Sequence, residues 1–190
     1  MSGAGTWGVG VLCCVLLWTL FPTDRVTAAV EVDAPQPQVS VREERGVYTV
    51  AAQFQVPQPP STVMAVLTDY ERIPRFMPGV ATSIVRERSA GRIVVEQEAV
   101  SRMMMFSKRV HLLLEVHEES DAIRFRDAAR RSFTCYEGAW RILPREGQTV
   151  IKYELSAKPS FDVPGFLLTR LLRRDAKQMI EGLRAEIAGR

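Results

Sequence analysis

Apolar residues in the C-terminal part of the chain recur with helical spacing. The residues that repeat at intervals of four and seven are Leu168, Leu172, Met179, Leu183 and Ile187. This period is typical of an amphipathic helix, and Pro164 is tolerated in a first helical turn. We therefore predict one long helix that begins near Pro164 and is about 35 Å long.

Most of the preceding chain instead alternates between apolar and polar residues, which is the pattern of strands with one buried face. Two strands are predicted within residues 38–56, and about six more lie between residues 80 and 155. The pattern indicates an α+β fold, in which a curved antiparallel sheet is wrapped around the long C-terminal helix.

Two local signals refine this outline. Ser61 or Thr62 is expected to cap a short helix after the first two strands, and a second short helical turn follows before the next strand. Gly138, two residues before Trp140, predicts a bulge within a strand.

The N-terminal segment differs from the rest. Residues 9–21 are uncharged and strongly apolar, and small residues follow at positions 26–29. This is the pattern of a signal peptide over residues 1–29, so we expect an exported protein, periplasmic or secreted. Because the first eight residues carry no Lys or Arg, an uncleaved N-terminal membrane anchor is the alternative. A proline-rich linker over 30–38 and a domain over 39–190 complete the organisation.

Composition gives no indication of a nucleic-acid partner, a disulfide or a metal site. The 190 residues are 46% hydrophobic and 25% charged, and the formal net charge of +3 is too small to indicate a nucleic-acid partner. Without the signal peptide, Cys135 is the one cysteine, so the domain is expected to be held by its core and not by a disulfide. His111 and His117 lie about 20 Å apart along one strand, too far to share a metal ion. No cofactor or metal is expected.

Three stretches resemble a known family. Residues 56–80, VPQPPSTVMAVLTDYERIPRFMPGV, are similar to the opening of START-like proteins of the SRPBCC superfamily, above all its polyketide cyclase and coenzyme Q-binding branch. Residues 137–155 and the helix from Pro164 onward follow in the family's order. The resemblance implies a helix-grip fold with a cavity between the sheet and the long helix. It also implies a hydrophobic ligand such as a lipid, an isoprenoid quinone or a polyketide.

Candidate ligand-binding residues follow from the apolar faces of the predicted strands and helix. They are Met104, Phe106, Phe125, Phe133, Trp140, Tyr153, Phe161 and Phe166. The alternative is that these side chains fill a solid core. Met104 belongs to a run of three methionines, which either lines a ligand entrance or packs under the preceding loop.

The long helix is expected to serve two purposes. Residues 166–172 should contact the ligand beside a gate at Gly165, whereas Met179, Leu183 and Ile187 should be plain core. Its opposite face carries Arg170, Arg173, Arg174 and Lys177. That face either contacts anionic lipid headgroups transiently or is an ordinary solvated surface.

Catalytic chemistry is not evident in the sequence. Glu96 and Glu98 share one strand face that is expected to face solvent, and no acid–base pair is recognisable. The sequence therefore favours a protein that binds a lipid or quinone for transport or sequestration without transforming it. Two alternatives stay open: an aromatase or cyclase acting on a polyketide-like substrate, and a protein-interaction module with a filled core.

Overall fold

The computed structural model describes residues 37–103 and 106–190, apart from the side chains of residues 101–108. These residues belong to one compact unit, Asp33–Arg190. The predicted signal peptide, most of the predicted linker and Met104 lie outside the described residues. Within the described part, no helix has the length and apolar character needed to cross a membrane.

The alternating stretches form eight strands, and the sequence-based positions are confirmed to within a few residues. The strands are β1 (Gln38–Glu44), β2 (Val47–Val56), β3 (Val80–Ser89), β4 (Arg92–Met103), β5 (Phe106–Glu118), β6 (Ala122–Asp127), β7 (Phe133–Arg145) and β8 (Gln148–Pro159). The helices are α1 (Pro60–Leu67), α2 (Ile73–Phe76) and α3 (Gly165–Ala188), with a single 3-10 turn at Tyr70–Arg72.

The strands make one antiparallel sheet in the order β1-β2-β8-β7-β6-β5-β4-β3. From β3 to β8 each strand pairs with the next along the chain, because short turns favour antiparallel neighbours. The segment containing α1 and α2 separates β2 from β3, which lie far apart in the sheet. The curved sheet and the C-terminal helix confirm the predicted α+β helix-grip fold.

Helix α3 turns the apolar face that its sequence predicts toward the sheet. Leu183 and Ile187 have no exposed surface and Leu168 is 8% exposed, whereas Leu172 and Met179 are only partly buried. At its C-terminal end, Arg190 and Arg72 both bind Glu186, at 3.2 and 3.1 Å. The Arg72–Glu186 pair joins the end of the helix to the 3-10 turn, and Arg190 adds a second link at 2.7 Å to Asp69, the residue before that turn.

The start of α1 differs from expectation, whereas α3 begins where its sequence predicts. Helix α1 begins at Pro60, and the carbonyl of Pro59, instead of the Ser61 or Thr62 side chain, accepts the first backbone hydrogen bonds. Helix α3 begins at Gly165 with Pro164 as its cap. Proline is suited to such positions because its missing N–H is not needed there.

The predicted bulge at Gly138 is wrong. Gly138 pairs in regular register with Phe125 of β6 and Leu155 of β8. Glycine is required there for space, because a Cβ would collide with the backbone carbonyl oxygen of Glu154 and would come within 2.6 Å of the Phe125 ring. The irregularity of β7 lies instead between Phe133 and Cys135, where the pairing with β8 shifts.

Candidate functional site

A pocket of about 210 Å³ lies between the first half of α3 and the inner face of the sheet. From α3 the lining residues are Leu168, Leu171, Leu172, Asp175, Ala176 and Met179. The apolar lining residues of the sheet include Val50, Val80, Ala99, Val100, Val110, Leu112, Leu155 and Ala157. The loop between α2 and β3 adds Met77, Pro78 and Gly79, and the exposure of Pro78 and Gly79 brings this side of the pocket to the surface.

The volume of the pocket limits what it holds. At about 30 Å³ for each water-sized group, it takes about seven such groups. Sites for drug-sized ligands usually measure about 300–1,000 Å³. The pocket therefore matches a small ring or a short chain segment, and a larger ligand extends out of it or requires it to widen.

Three tyrosines supply most of the polar groups of this apolar pocket. They are Tyr48 of β2, Tyr136 of β7 and Tyr153 of β8. The Tyr136 ring packs 4.9 Å from Phe133, and the Tyr153 ring packs 4.4 Å from Trp140. Such aromatic packing holds each phenol in a defined orientation.

The phenols of Tyr136 and Tyr153 remain neutral at physiological pH. Burial raises the pKa of Tyr136 to about 12, although its hydrogen bond with the Tyr153 hydroxyl acts in the opposite direction. Burial, the neighbouring Tyr136 and their hydrogen bond raise the pKa of Tyr153 well above its usual value. These groups are suited to hydrogen bonding with a ligand and unsuited to removing a proton from one.

The hydroxyl of Tyr48, a residue of β2, lies at the start of α3. Its hydroxyl is 3.1 Å from the point where a Cβ on Gly165 would lie. Burial and the nearby Glu43 raise the pKa of Tyr48. The predicted gate at Gly165 is thus next to a pocket residue, and its gating role stays a prediction.

The predicted ligand-binding residues fall into three groups. Phe133, Tyr153 and Phe161 line the pocket. Phe125 and Trp140 pack against the Tyr153 ring from outside the lining.

The remaining three candidates lie elsewhere. Phe166 is 79% exposed and is absent from the pocket lining, because it lies on the outer face of α3. Met104 and the side chain of Phe106 lie outside the described residues. The β4–β5 hairpin that carries them continues directly from Val100 and Val110, which line the pocket.

Sequence reasoning missed Tyr48 and Tyr136 as pocket residues. The alternation of β2 places Tyr48 on the same face as buried Val50, so a signal was present. For Tyr136 the alternation gives no such signal. The register shift after Phe133 brings Phe133 and Tyr136, which are three positions apart, to the same pocket. Strict alternation places such residues on opposite faces.

Other reactive side chains lie away from the pocket lining. The Nε2 atom of His111 is 2.7 Å from a carboxylate oxygen of Glu96, and hydrogen bonds from His111 and Arg86 lower the pKa of that carboxyl group. His117 bonds separately to the carbonyl of Gly91. Across residues 37–103 and 106–190, no group of three His, Cys, Asp or Glu side chains is arranged to hold a metal ion.

Comparison with known proteins adds the family to this geometry. The model of the family described as "Polyketide cyclase / dehydrase and lipid transport" matches residues 56–184. The chain belongs to this family. It is therefore a member of the START-like SRPBCC superfamily, as the sequence resemblance implied. No curated protein matches the sequence.

Solved structures share the fold. A STAR-related lipid transfer protein from Xanthomonas axonopodis is 16% identical with a TM-score of 0.68, over 82% of this chain and 96% of its own. A START superfamily protein from Mycobacterium smegmatis is also 16% identical, with a TM-score of 0.65 over 74% of this chain and 97% of its own. The Zhui aromatase/cyclase from Streptomyces sp. R1128 is 14% identical, with a TM-score of 0.65 over 75% and 94%. At these identities the likeness establishes the fold alone.

Proposed function

We propose that the chain binds a hydrophobic small molecule, a lipid or an isoprenoid quinone, in the pocket under α3 and carries or sequesters it. The observation that supports this most is an apolar pocket whose polar groups are chiefly neutral phenols. Small-molecule sites typically combine apolar walls with a few oriented polar groups. The family description and the fold are consistent with this role.

The protein is also proposed to act outside the cytoplasm and to contact a membrane transiently. Export rests on the apolar segment at residues 9–21, and sequencing the N-terminus of the native protein should find the chain beginning near residue 30. Membrane contact rests on exposed Phe166, Arg170, Arg173 and Lys177. Because their spacings are four, three and four, these side chains share one face of α3, which points away from the pocket.

An enzyme is the second candidate, and one observation favours it. The described lining includes a carboxylate, Asp175, as well as three phenols that can orient a carbonyl. However, Asp175 is paired with Arg174 at 2.7 Å, and a raised pKa makes the phenols poor bases. A cyclase predicts turnover of a poly-β-ketone that stops in Asp175→Asn. Binding without turnover supports the carrier function.

Filling the pocket tests the binding function directly. Ala99 of β4 is half-buried in the lining, so Ala99→Phe places a phenyl ring in space that holds only about seven groups. We expect ligand binding to fall at least tenfold with little loss of stability, since the ring enters free volume. Ala51→Phe is the matched control, because Ala51 is a half-buried strand alanine on the opposite face of the sheet.

The measurement has two parts. The full chain is extracted with organic solvent and the extract is analysed by mass spectrometry, and uptake of a fluorescent lipid by both variants is then compared with that of the wild type. A chain that carries no lipid and takes up none would contradict the proposal, as would equal uptake by Ala99→Phe and the wild type.

A further inference from the structure

Two methionines lie at the open side of the pocket. Met77 comes from the loop between α2 and β3, Met179 comes from α3, and both belong to the lining. Gly182 follows Met179 by one turn on the same face of the helix. It lies against the carbonyl of Phe76, which is the residue before Met77. Both thioethers therefore belong to the end of the pocket where α3 passes α2, beside the exposed Pro78.

These thioethers are the oxidisable sulfur atoms of the pocket. Among the described residues of the lining, Met77 and Met179 alone contain sulfur. Both side chains are half-buried, but the void beside them admits groups of the size of water, and the two oxygens of a peroxide fit there. Cys135 does not compete, because it lies outside the lining and burial raises the pKa of its thiol, which lowers the share of reactive thiolate.

The apolar lining selects which peroxides reach the two sulfur atoms. A hydroperoxide with a hydrocarbon part gains affinity by burying that part in the pocket, and binding holds its O–O bond near the thioethers. Hydrogen peroxide has no hydrocarbon part and gains nothing by entering. The pocket should therefore favour oxidation by apolar hydroperoxides over oxidation by hydrogen peroxide.

We infer that Met77 and Met179 form a modification site, at which an apolar hydroperoxide bound in the pocket oxidises the thioethers and thereby ends ligand binding. This inference rests on the proposed function, because the oxidant is an oxidised form of the class of molecule that the pocket takes. It adds a stoichiometric reduction of hydroperoxides to alcohols and a redox control of binding.

The reaction needs no further reactant. The distal oxygen of the hydroperoxide transfers to the sulfur, so that the O–O bond breaks and an S–O bond forms. The proton of the distal oxygen moves to the remaining alkoxide oxygen, and the products are an alcohol and methionine sulfoxide. The sulfur is oxidised by two electrons and the peroxide is reduced by the same two. Because a sulfoxide is polar, it disfavours a hydrocarbon ligand in this apolar wall.

Two oxidants and an internal control test where the oxygen goes. The full chain is treated with tert-butyl hydroperoxide or with hydrogen peroxide, and the sulfoxides are located by mass spectrometry of peptides. Met64 of α1 is the control, because it is half-buried against the core and lies outside the lining. The ratio of sulfoxide at Met77 and Met179 to sulfoxide at Met64 should be at least about tenfold higher with tert-butyl hydroperoxide, because burial of its methyl groups gives a factor of that order.

Leucine variants test the effect on binding. Leucine keeps the volume and apolar character of methionine and cannot form a sulfoxide. Treatment with tert-butyl hydroperoxide should lower uptake of a fluorescent lipid by the wild type about tenfold, which is the effect of one polar group left unpaired in an apolar site. The double variant Met77→Leu, Met179→Leu should keep its uptake, whereas Met64→Leu should lose uptake as the wild type does.

The other outcomes contradict different statements. An equal ratio of sulfoxides with both oxidants would overturn the inference, and so would an equal loss of uptake in the wild type and the double variant. If the untreated wild type takes up no lipid, the proposed function is wrong, and the claim that oxidation ends binding fails with it. The ratio of sulfoxides is measured without lipid, so the two failures are distinguishable.

Discussion

Helix α3 passes so close to α2 at Gly182 that no side chain fits between them. A Cβ on Gly182 would lie 1.8 Å from the carbonyl oxygen of Phe76 and 3.4 Å from the Pro78 ring. Helix propensity alone predicts that Gly182→Ala stabilises the protein by about 1 kcal/mol. The contact predicts the opposite, because two backbones must separate by about 1.2 Å before the closest approach reaches 3.0 Å.

The two effects are large enough to be distinguished. Overpacking typically costs about 1–3 kcal/mol, and the upper end applies here because backbone atoms, not a flexible side chain, have to move. Subtracting the gain in helix propensity leaves a net loss of about 2 kcal/mol. In a chain of this size, that loss lowers the Tm by about 4–8 °C.

Urea denaturation followed by circular dichroism measures this difference. Gly189→Ala is the control at the end of the same helix, where the nearest atom to a Cβ is the Ala185 carbonyl oxygen at an ordinary 3.5 Å. The control should change stability by less than about 0.5 kcal/mol. A Gly182→Ala protein as stable as the wild type, or more stable, would refute the reasoning.

The remaining predictions concern the membrane face and the tyrosines. Changing Arg170, Arg173 and Lys177 to Gln should lower the binding constant for vesicles rich in anionic lipid, measured by flotation, by more than about a hundredfold, at about 1 kcal/mol for each charge. The control makes the same change at exposed Arg141, Arg145 and Lys152. An equal loss of binding in both variants would contradict a membrane-binding face on α3. All four tyrosines of the chain have a raised pKa. The pKa of tyrosine in the unfolded chain is about 10. Because the pKa in the folded protein is higher, each tyrosine stabilises the folded state fully below pH 10, and this stabilisation is lost as the pH rises through the folded pKa. The ultraviolet absorbance of tyrosinate should therefore appear only above pH 10, together with unfolding, and midpoints near 10 in the folded protein would contradict the burial.

The fold could be predicted from periodicity because the two periods have different physical causes. Val50, Phe54 and Val56 alternate since successive side chains of a strand point to opposite faces, and all three are buried. Leu183 and Ile187 are four apart since they share one face of a helix, and both are fully buried. These relations are local in the chain, so the sequence contains them in full.

Details that depend on contacts distant in the chain could not be predicted. Gly138 suggested a bulge because glycine often marks one, but its real constraint is the carbonyl of Glu154 together with the Phe125 ring, and the sequence places neither beside it. The register shift after Phe133 has no signature in the sequence, and it decides that Tyr136 reaches the pocket. Phe166 is apolar in the sequence and lies on the solvent side of α3 in the structure.

The division of α3 into a ligand-contacting part and a core part depends on the opposite wall and not on the helix itself. Met179 was expected to be core with Leu183, yet it lines the pocket while Leu183 is fully buried. The apolar residues continue along one face of α3 without a break, so the sequence of the helix cannot show where the pocket ends. Across the pocket the sheet presents the small side chains of Ala99 and Ala157, which leave the space that larger residues would fill. The pocket therefore arises from short side chains in the sheet, and for this reason enlarging Ala99 closes it more directly than any change in α3.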